Sequence, residues 1–241
     1  MISLENITCK FQDKTVLENI SLVISSHLTI LGSNGAGKST LAKIICDLVP
    51  FQGALTVHNK NIQEYTLKEK AKLLSYIPAK LDIYDSFITL EEFTLLGRFA
   101  HKTALFDYSK KDKTIAHECL EFLHIEHLAS HAVSSLSSGE TQLALIAQAL
   151  AQQSEIIILD EPTANLDPKN SKIIAEHIKG LKEFHQVILI THDIALASFI
   201  DSPVAFVKER KIHSFGKEFF EEKTLQRLYE VTFNALGVKY D

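Results

Sequence analysis

The spacing of apolar residues divides this chain into stretches of two kinds. From the N-terminus to about residue 31 they follow strand patterns. Ile2, Leu4 and Ile7 alternate loosely, and Val16-Leu17, Ile20, Leu22 and Ile24 follow the polar turn Gln12-Asp13-Lys14. His27-Leu28-Thr29-Ile30-Leu31 is a short apolar run of the kind a buried strand carries. Thr40 to Cys46 switches to helical spacing, which predicts a helix ending near Pro50. Phe51 to Asn59 reads as a strand, with Gly53 at its start and Asn59-Lys60-Asn61 as a turn. A short charged helix over Leu67 to Leu74 and a strand, Leu74-Ser75-Tyr76-Ile77, stopped by Pro78, complete this part.

From about Pro78 to Leu150 strand-like runs disappear. Thr89 is placed to cap a helix through Leu90, Phe93, Leu96 and Gly97, with Glu92 at capping-box spacing. A second helix carries Ile115, Cys119, Leu120, Phe122 and Leu123, and the mixed-charge stretch Lys102 to Lys113 between them reads as a solvated loop. After about 150, strand and helix alternate again: Ile156 to Leu159, a helix over 169–183, Val187 to Ile190, a helix over 193–200, Val204 to Val207, and a tail with two short helices. The simplest architecture is an α/β core, 1–78 and 151–241, interrupted by a helical insertion over 79–150. No internal repeat or low-complexity linker interrupts it.

Composition narrows the class. With 241 residues, 46% hydrophobic and 23% charged, the chain can bury a sizeable core and is not a disordered polymer. Net charge is −5 and no lysine- or arginine-rich tract occurs, so no nucleic-acid partner is expected. Cys9, Cys46 and Cys119 lie far apart and read as neutral thiols in a reducing compartment. His124, His127 and His131 lack the cysteine or carboxylate that would complete a usual metal set and read as surface histidines. There is no secretory signal pattern and no apolar run long enough to span a bilayer, which predicts a cytoplasmic chain.

The chemistry is concentrated in a few places. Gly32-Ser33-Asn34-Gly35-Ala36-Gly37-Lys38-Ser39-Thr40 sits between a predicted strand and a predicted helix. In that setting backbone N–H groups and the helix dipole face a nucleotide's phosphates. Lys38 would reach the β and γ phosphates, and the Ser39 hydroxyl would hold Mg²⁺. Ile156 to Leu159 is a buried parallel strand ending in Asp160-Glu161, at the end where ligands sit in open α/β sheets. Asp160 is expected beside the Ser39 metal site, and Glu161 near the γ phosphate as base or water-orienting group. His192 ends a second buried strand, where it is expected to bond a γ-phosphate oxygen or the attacking water. Ser135-Leu136-Ser137-Ser138-Gly139-Glu140 precedes a helix over Thr141 to Gln152. Serines there either cap the helix or make a second anion site. Two phosphate-binding devices in one chain are not expected to face each other.

In this order the motifs make the chain similar to the nucleotide-binding subunits of ABC transporters over nearly its whole length. Gly32 to Thr40 resembles the Walker A loop, Leu136 to Glu140 the family signature, and Ile156 to Glu161 Walker B with its catalytic glutamate. Ala164-Asn165-Leu166-Asp167 resembles the D-loop and His192 the switch histidine. The resemblance implies a P-loop, RecA-like ATPase core with an N-terminal antiparallel β subdomain and an inserted α-helical subdomain, acting with ATP and Mg²⁺. It implies that Phe11 stacks on adenine and that two copies form a head-to-tail ATP sandwich. Ser137 and Gly139 of one copy would meet the γ phosphate held by Lys38 of the other, with Asp167 at the seam. Two residues depart from the usual wording of the signature: Ser138 stands where glycine is usual and Glu140 where glutamine is common. The family's Q-loop glutamine, expected after Tyr76-Ile77-Pro78, is replaced by Ala79, followed by Lys80, which predicts weakened or rewired coupling.

Leu95-Leu96-Gly97-Arg98-Phe99-Ala100-His101, after Thr89-Leu90-Glu91-Glu92-Phe93, resembles the helical domain of importers for iron chelates, haem and cobalamin; manganese and zinc importers carry similar wording. That implies an iron-siderophore or haem importer ATPase at the cytoplasmic face of the cell membrane. Its partners would be integral-membrane permease subunits and, indirectly, an extracytoplasmic substrate-binding protein. Tyr84, Phe87 and Phe99 are candidates for the permease-facing groove. The alternatives are manganese, zinc or cobalamin import, an exporter, a soluble non-transport ABC ATPase, and a non-catalytic nucleotide-binding regulator.

Overall fold

A computed structural model describes residues 1–12, 14–80, 85, 87–102 and 108–230. Tyr84 and the middle of the expected loop at 102–113 lie outside the described residues.

The N-terminal strands form one sheet. β1 (Ile2–Phe11) pairs antiparallel with β2 (Lys14–Ile24), from Ile2 opposite Ile24 to Phe11 opposite Lys14. The loose alternation of Ile2, Leu4 and Ile7 has a structural cause. The register shifts between Leu4 and Ile7, and Asn6 takes a left-handed φ of 54°. This bulge lets Leu4 and Ile7 both stay buried although three positions apart. The Asn6 N–H donates to the Ser21 hydroxyl at 3.0 Å, so the irregularity leaves that group satisfied.

β3 (Leu28–Gly32) leads through the glycine loop into α1 (Lys38–Ile45). That helix stops a turn short of the expected end at Pro50, because the chain turns at Asp47, φ 55°. β4 (Gln52–Val57) pairs with β1, and the turn falls at His58-Asn59 rather than 59–61. β5 (Lys60–Asn61) therefore pairs back onto Val57 and Thr56. The sheet order is β2-β1-β4-β5.

α2 (Leu67–Leu73) precedes β6 (Leu74–Ile77). Three helices follow: α3 (Leu90–Leu96), α4 (Lys110–Phe122) and α5 (Ser138–Ala151). α3 opens with the expected capping box, Thr89 with Glu92. α5 starts one turn earlier than predicted, because Ser137 and Glu140 form a capping box of their own. Strand and helix then alternate through β7 (Ile156–Asp160), α6 (Pro168–Leu181), β8 (Gln186–Ile190), α7 (Ile194–Ile200) and β9 (Val204–Lys208).

The expected tail of two short helices begins instead with a strand, β10 (Lys211–Phe215), antiparallel to β9. A short 3-10 turn, Lys217–Phe220, and α8 (Glu222–Tyr229) follow. The hairpin turn carries Glu209 and Arg210 at φ 50° and 65°. Both central residues are left-handed, as a tight hairpin needs, but the usual Asn-Gly signal is absent. β10 is also largely exposed, so it lacks a buried apolar face to announce it.

The second sheet runs β10-β9-β3-β8-β7-β6, parallel from β6 to β9. Its central strands read as unbroken apolar runs because both faces are covered. Ile156 and Ile158 of β7 belong to the buried cluster that also holds Ile44 of α1 and Leu4 and Leu55 of the first sheet. Ile157 and Leu159 face the other way, onto α5 and α6. Each fully buried isoleucine or leucine contributes about 1.5–3 kcal/mol, so these opposed layers hold the strand ends that carry the site.

The helices are joined by a buried cation. Arg98 follows Gly97, where any Cβ would collide with the Gln148 carbonyl of α5. Arg98 is 3% exposed. It donates to Asp112 Oδ1 at 3.0 Å, to the Ala151 carbonyl at 2.7 Å and to Gln153 Oε1 at 2.8 Å. The end of α3, the start of α4 and the end of α5 thus meet on one guanidinium.

Candidate active site

The loop from β3 to α1 brings the first group of residues together. Elsewhere α2, α3, α4 and α5 each open on a capping box with an acidic partner. α1 has neither a side-chain cap nor an acidic residue in its first turn, and its N-cap is Gly37 at φ 102°. The backbone N–H groups there are left for an external anion, and the helix dipole favours one. Lys38 is buried and donates to the Gly32 and Ser33 carbonyls at 2.9 and 3.2 Å. Its Nζ also lies 3.5 Å from Glu161 Oε1.

The second group hangs on the end of β7. Asp160 is 1% exposed. Its Oδ1 accepts from the Ser39 hydroxyl at 3.0 Å and its Oδ2 from the Tyr76 hydroxyl at 2.9 Å. Burial, and then the Asp160 charge, push the Tyr76 phenol above its ordinary range, so it stays a protonated donor. A serine hydroxyl beside a carboxylate is the hard oxygen set that Mg²⁺ takes, together with substrate phosphates, so these residues fit that ion.

Glu161 occupies a left-handed conformation, φ 49°, with its N–H bonded to the Ile190 carbonyl at 2.8 Å. That backbone turns its carboxylate off the strand line towards Lys38 and His192. Glu161 Oε2 is 2.8 Å from His192 Nδ1 and accepts the His192 N–H at 3.2 Å. The sequence pattern aims His192 at a phosphate or water; the structure places it on Glu161. Tyr76 is a site residue that the sequence pattern does not mark. It pairs with Ile158, so Asp160 lies two positions on along the neighbouring strand. Only the adjacency of β6 and β7 reveals that they share a face.

Ser137, Gly139 and Asp167 form a separate surface. The Ser137 hydroxyl donates to Glu140 Oε2 at 2.7 Å. That bond, first of all, holds the Glu140 carboxyl below its usual range. Gly139 lies against the Asn170 amide of α6. Asp167 caps α6, accepting from the Asn170 N–H at 3.0 Å. No hydrogen bond or ion pair found among the described residues joins these three to Lys38, Ser39, Asp160 or Glu161. Phe11 ends β1 with its side chain 44% exposed.

Phe87 and Phe99 are 88% and 73% exposed. Phe87 lines an open groove with Ile88, Leu95, Leu96 and Tyr108. Ala79 and Lys80 are exposed just beyond β6. Burial pushes the Cys46 thiol up to about 12 and Cys119 up to about 11. Among the described residues no cluster of histidine, cysteine and carboxylates forms a metal site. Nor is any helix of these residues long and apolar enough to cross a membrane.

A glycine loop with a buried lysine, a serine–aspartate pair and a carboxylate at the next position define a P-loop nucleoside triphosphatase. The family model described as ABC transporter matches residues 17–164, more than half of the chain. The ferric enterobactin transport ATP-binding protein of Escherichia coli is 32% identical over 93% of this chain and 85% of its own length. The manganese transport system ATP-binding protein of Listeria innocua is 30% identical over 95% of each. A bacterial ABC transporter cassette solved as a dimer superposes with a TM-score of 0.76, at 28% identity, over 88% of this chain and 97% of that one. The chain belongs to the ABC transporter family, as an ATP-binding subunit that hydrolyses ATP.

Proposed function

We propose that this chain powers an importer for iron chelates, a siderophore or haem, as two copies beneath two permease subunits at the cytoplasmic face of the membrane. The observation that carries the paired arrangement is that Ser137 and Gly139 make no hydrogen bond or ion pair, among the described residues, with the Lys38 site of their own chain. A second copy, turned head to tail, supplies them, and the 28% identical cassette solved as a dimer supports the association of two copies. Residues 1–78 and 151–241 would then be the nucleotide-binding core, and 79–150 the helical insertion that meets the permease through the Phe87 and Phe99 side.

In this reading the loop N–H groups of Gly32 to Thr40 and the Lys38 ammonium neutralise the phosphates. Phe11 stacks on adenine, and Asp167 lines the seam. Ser39 and Asp160 would hold Mg²⁺, which would supply charge neutralisation at the phosphates. Glu161 takes a proton from water as the water oxygen bonds to the γ phosphorus and the bond to ADP breaks. His192 holds Glu161 in line for that proton. Lys38 lies 3.5 Å from Glu161, so an arriving phosphate draws the ammonium to itself and frees the carboxylate.

Likeness to the ferric enterobactin protein supports iron chelates, and likeness to the manganese protein supports a second reading, manganese import. Copurification of the permease and binding protein, followed by ATPase assays of the complex, separates them. Stimulation by iron-chelate-loaded binding protein is the expected result, and stimulation by manganese or zinc loading alone overturns it. If Ala79 marks a rewired Q-loop, Ala79→Gln changes the ATPase rate or its stimulation by the permease. An unchanged rate and unchanged stimulation would count against rewiring.

A further inference from the structure

We propose that Tyr76 is a positioning residue for the metal-facing carboxylate Asp160, acting from the strand that runs into Ala79. The proposal rests on the reading that Ser39 and Asp160 hold Mg²⁺.

An aspartate carboxylate turns easily about its last torsion, since that torsion is broad and two-fold. Asp160 is held at both oxygens, Oδ1 by Ser39 at 3.0 Å and Oδ2 by Tyr76 at 2.9 Å. At 1% exposure water competes little for either. The two donors come from different elements, α1 and β6, so together they fix the plane of the carboxylate rather than one edge of it. Hydrogen bonds of this outer kind set the orientation and basicity of a metal-binding carboxylate.

The tyrosine is itself held. Its register opposite Ile158 aligns it with Asp160 two residues further along β7. Its ring packs against the buried cluster of Ile156, Ile158 and Ile44 while its hydroxyl reaches the carboxylate. A phenol suits this position because the body is apolar and the tip is a donor. Phenylalanine would keep the packing and lose the bond.

The strand's exit gives the contact a further role. Pro78 and Ala79 follow Ile77 directly, and Ala79 has no polar side-chain atom to offer the nucleotide. Within β6 the Tyr76 hydroxyl, on the residue three positions before Ala79, reaches the Asp160 carboxylate. Tyr76 thereby gives the segment a side-chain route to the metal site that Ala79 itself lacks.

The test uses the full-length chain carrying Glu161→Gln, so that nucleotide is not consumed. Mn²⁺ binding to the nucleotide-loaded protein is read by electron paramagnetic resonance. Affinity for MANT-ATP without metal is read by fluorescence, and thermal stability by calorimetry. Tyr76→Phe is expected to weaken Mn²⁺ binding about ten-fold, with metal-free MANT-ATP affinity unchanged and the melting temperature lowered only by the few degrees that one buried hydrogen bond supplies. Unchanged Mn²⁺ affinity overturns the proposal, as does a parallel loss of metal-free nucleotide binding, which would mark a packing defect. Ser39→Ala is measured beside it. If Ser39→Ala weakens Mn²⁺ binding and Tyr76→Phe does not, only the role of Tyr76 fails. If neither variant does, the metal assignment fails with it.

Discussion

Glu161→Gln is expected to bind ATP with nearly unchanged affinity and to hydrolyse it roughly 10²- to 10⁴-fold more slowly, the span that a positioned base contributes. The amide is nearly the same size as the carboxylate, so the backbone at φ 49° and the bond from the His192 N–H are kept. What is lost is the negative charge that pairs with Lys38 and, on the proposed mechanism, the basicity that takes the water proton. On the same reading binding is served by other atoms, the loop N–H groups and Lys38, which the substitution leaves in place. Equilibrium binding and steady-state turnover measured on the same preparation check this. A variant that turns over ATP at the parent rate would remove Glu161 from the chemistry. A variant that loses binding would place it in recognition instead. If two copies close on ATP as proposed, the same protein should accumulate as an ATP-bound dimer on size exclusion.

Arg98→Met is expected to destabilise the chain by about 3–5 kcal/mol, because it leaves the buried Asp112 carboxylate and the Ala151 carbonyl without a charged donor. For a chain of this size that lowers the melting temperature by on the order of 10 °C. Arg98→Lys recovers only part of it, since an ammonium cannot present the fork that reaches Asp112, Ala151 and Gln153 at once. The pH dependence has a definite sign. The Ser109 hydroxyl first, and then Arg98, hold the Asp112 carboxyl below its ordinary value. A depressed carboxyl contributes stability above its unfolded value, near 3.8, and loses it as pH falls through the folded value. Arg98→Met should therefore narrow the stability difference between neutral and acid solution. Calorimetry at both pH values reads this directly, and a melting temperature within a degree or two of the parent would show that the guanidinium is not a structural joint.

The parts of the site made from neighbouring residues are legible in the sequence alone. Gly32 to Thr40 is contiguous, and its chemistry follows from backbone and side chains within one turn of each other. Asp160-Glu161 at the end of an apolar run is likewise local. The bond from Tyr76 to Asp160 spans 84 positions and depends on β6 lying beside β7, which no local pattern encodes. The His192 to Glu161 contact spans 31 positions and depends on the two chain segments leaving adjacent strands on the same side. β10 has no sequence signal because its turn uses Glu209 and Arg210 in a conformation those residues rarely take, and its exposed face has no apolar alternation.

By itself the sequence determined the class of chemistry, the family, the two-faced burial of the central strands and the order of most of the elements. Each of these depends on which residues are neighbours along the chain, and periodicity, caps and glycine turns act at that range. Only the tertiary structure decided which donors reach Asp160, which partner His192 chooses, and that Arg98 ties three helix ends together. Those contacts depend on strand order and helix packing, which the collapse of the whole core sets rather than any one segment.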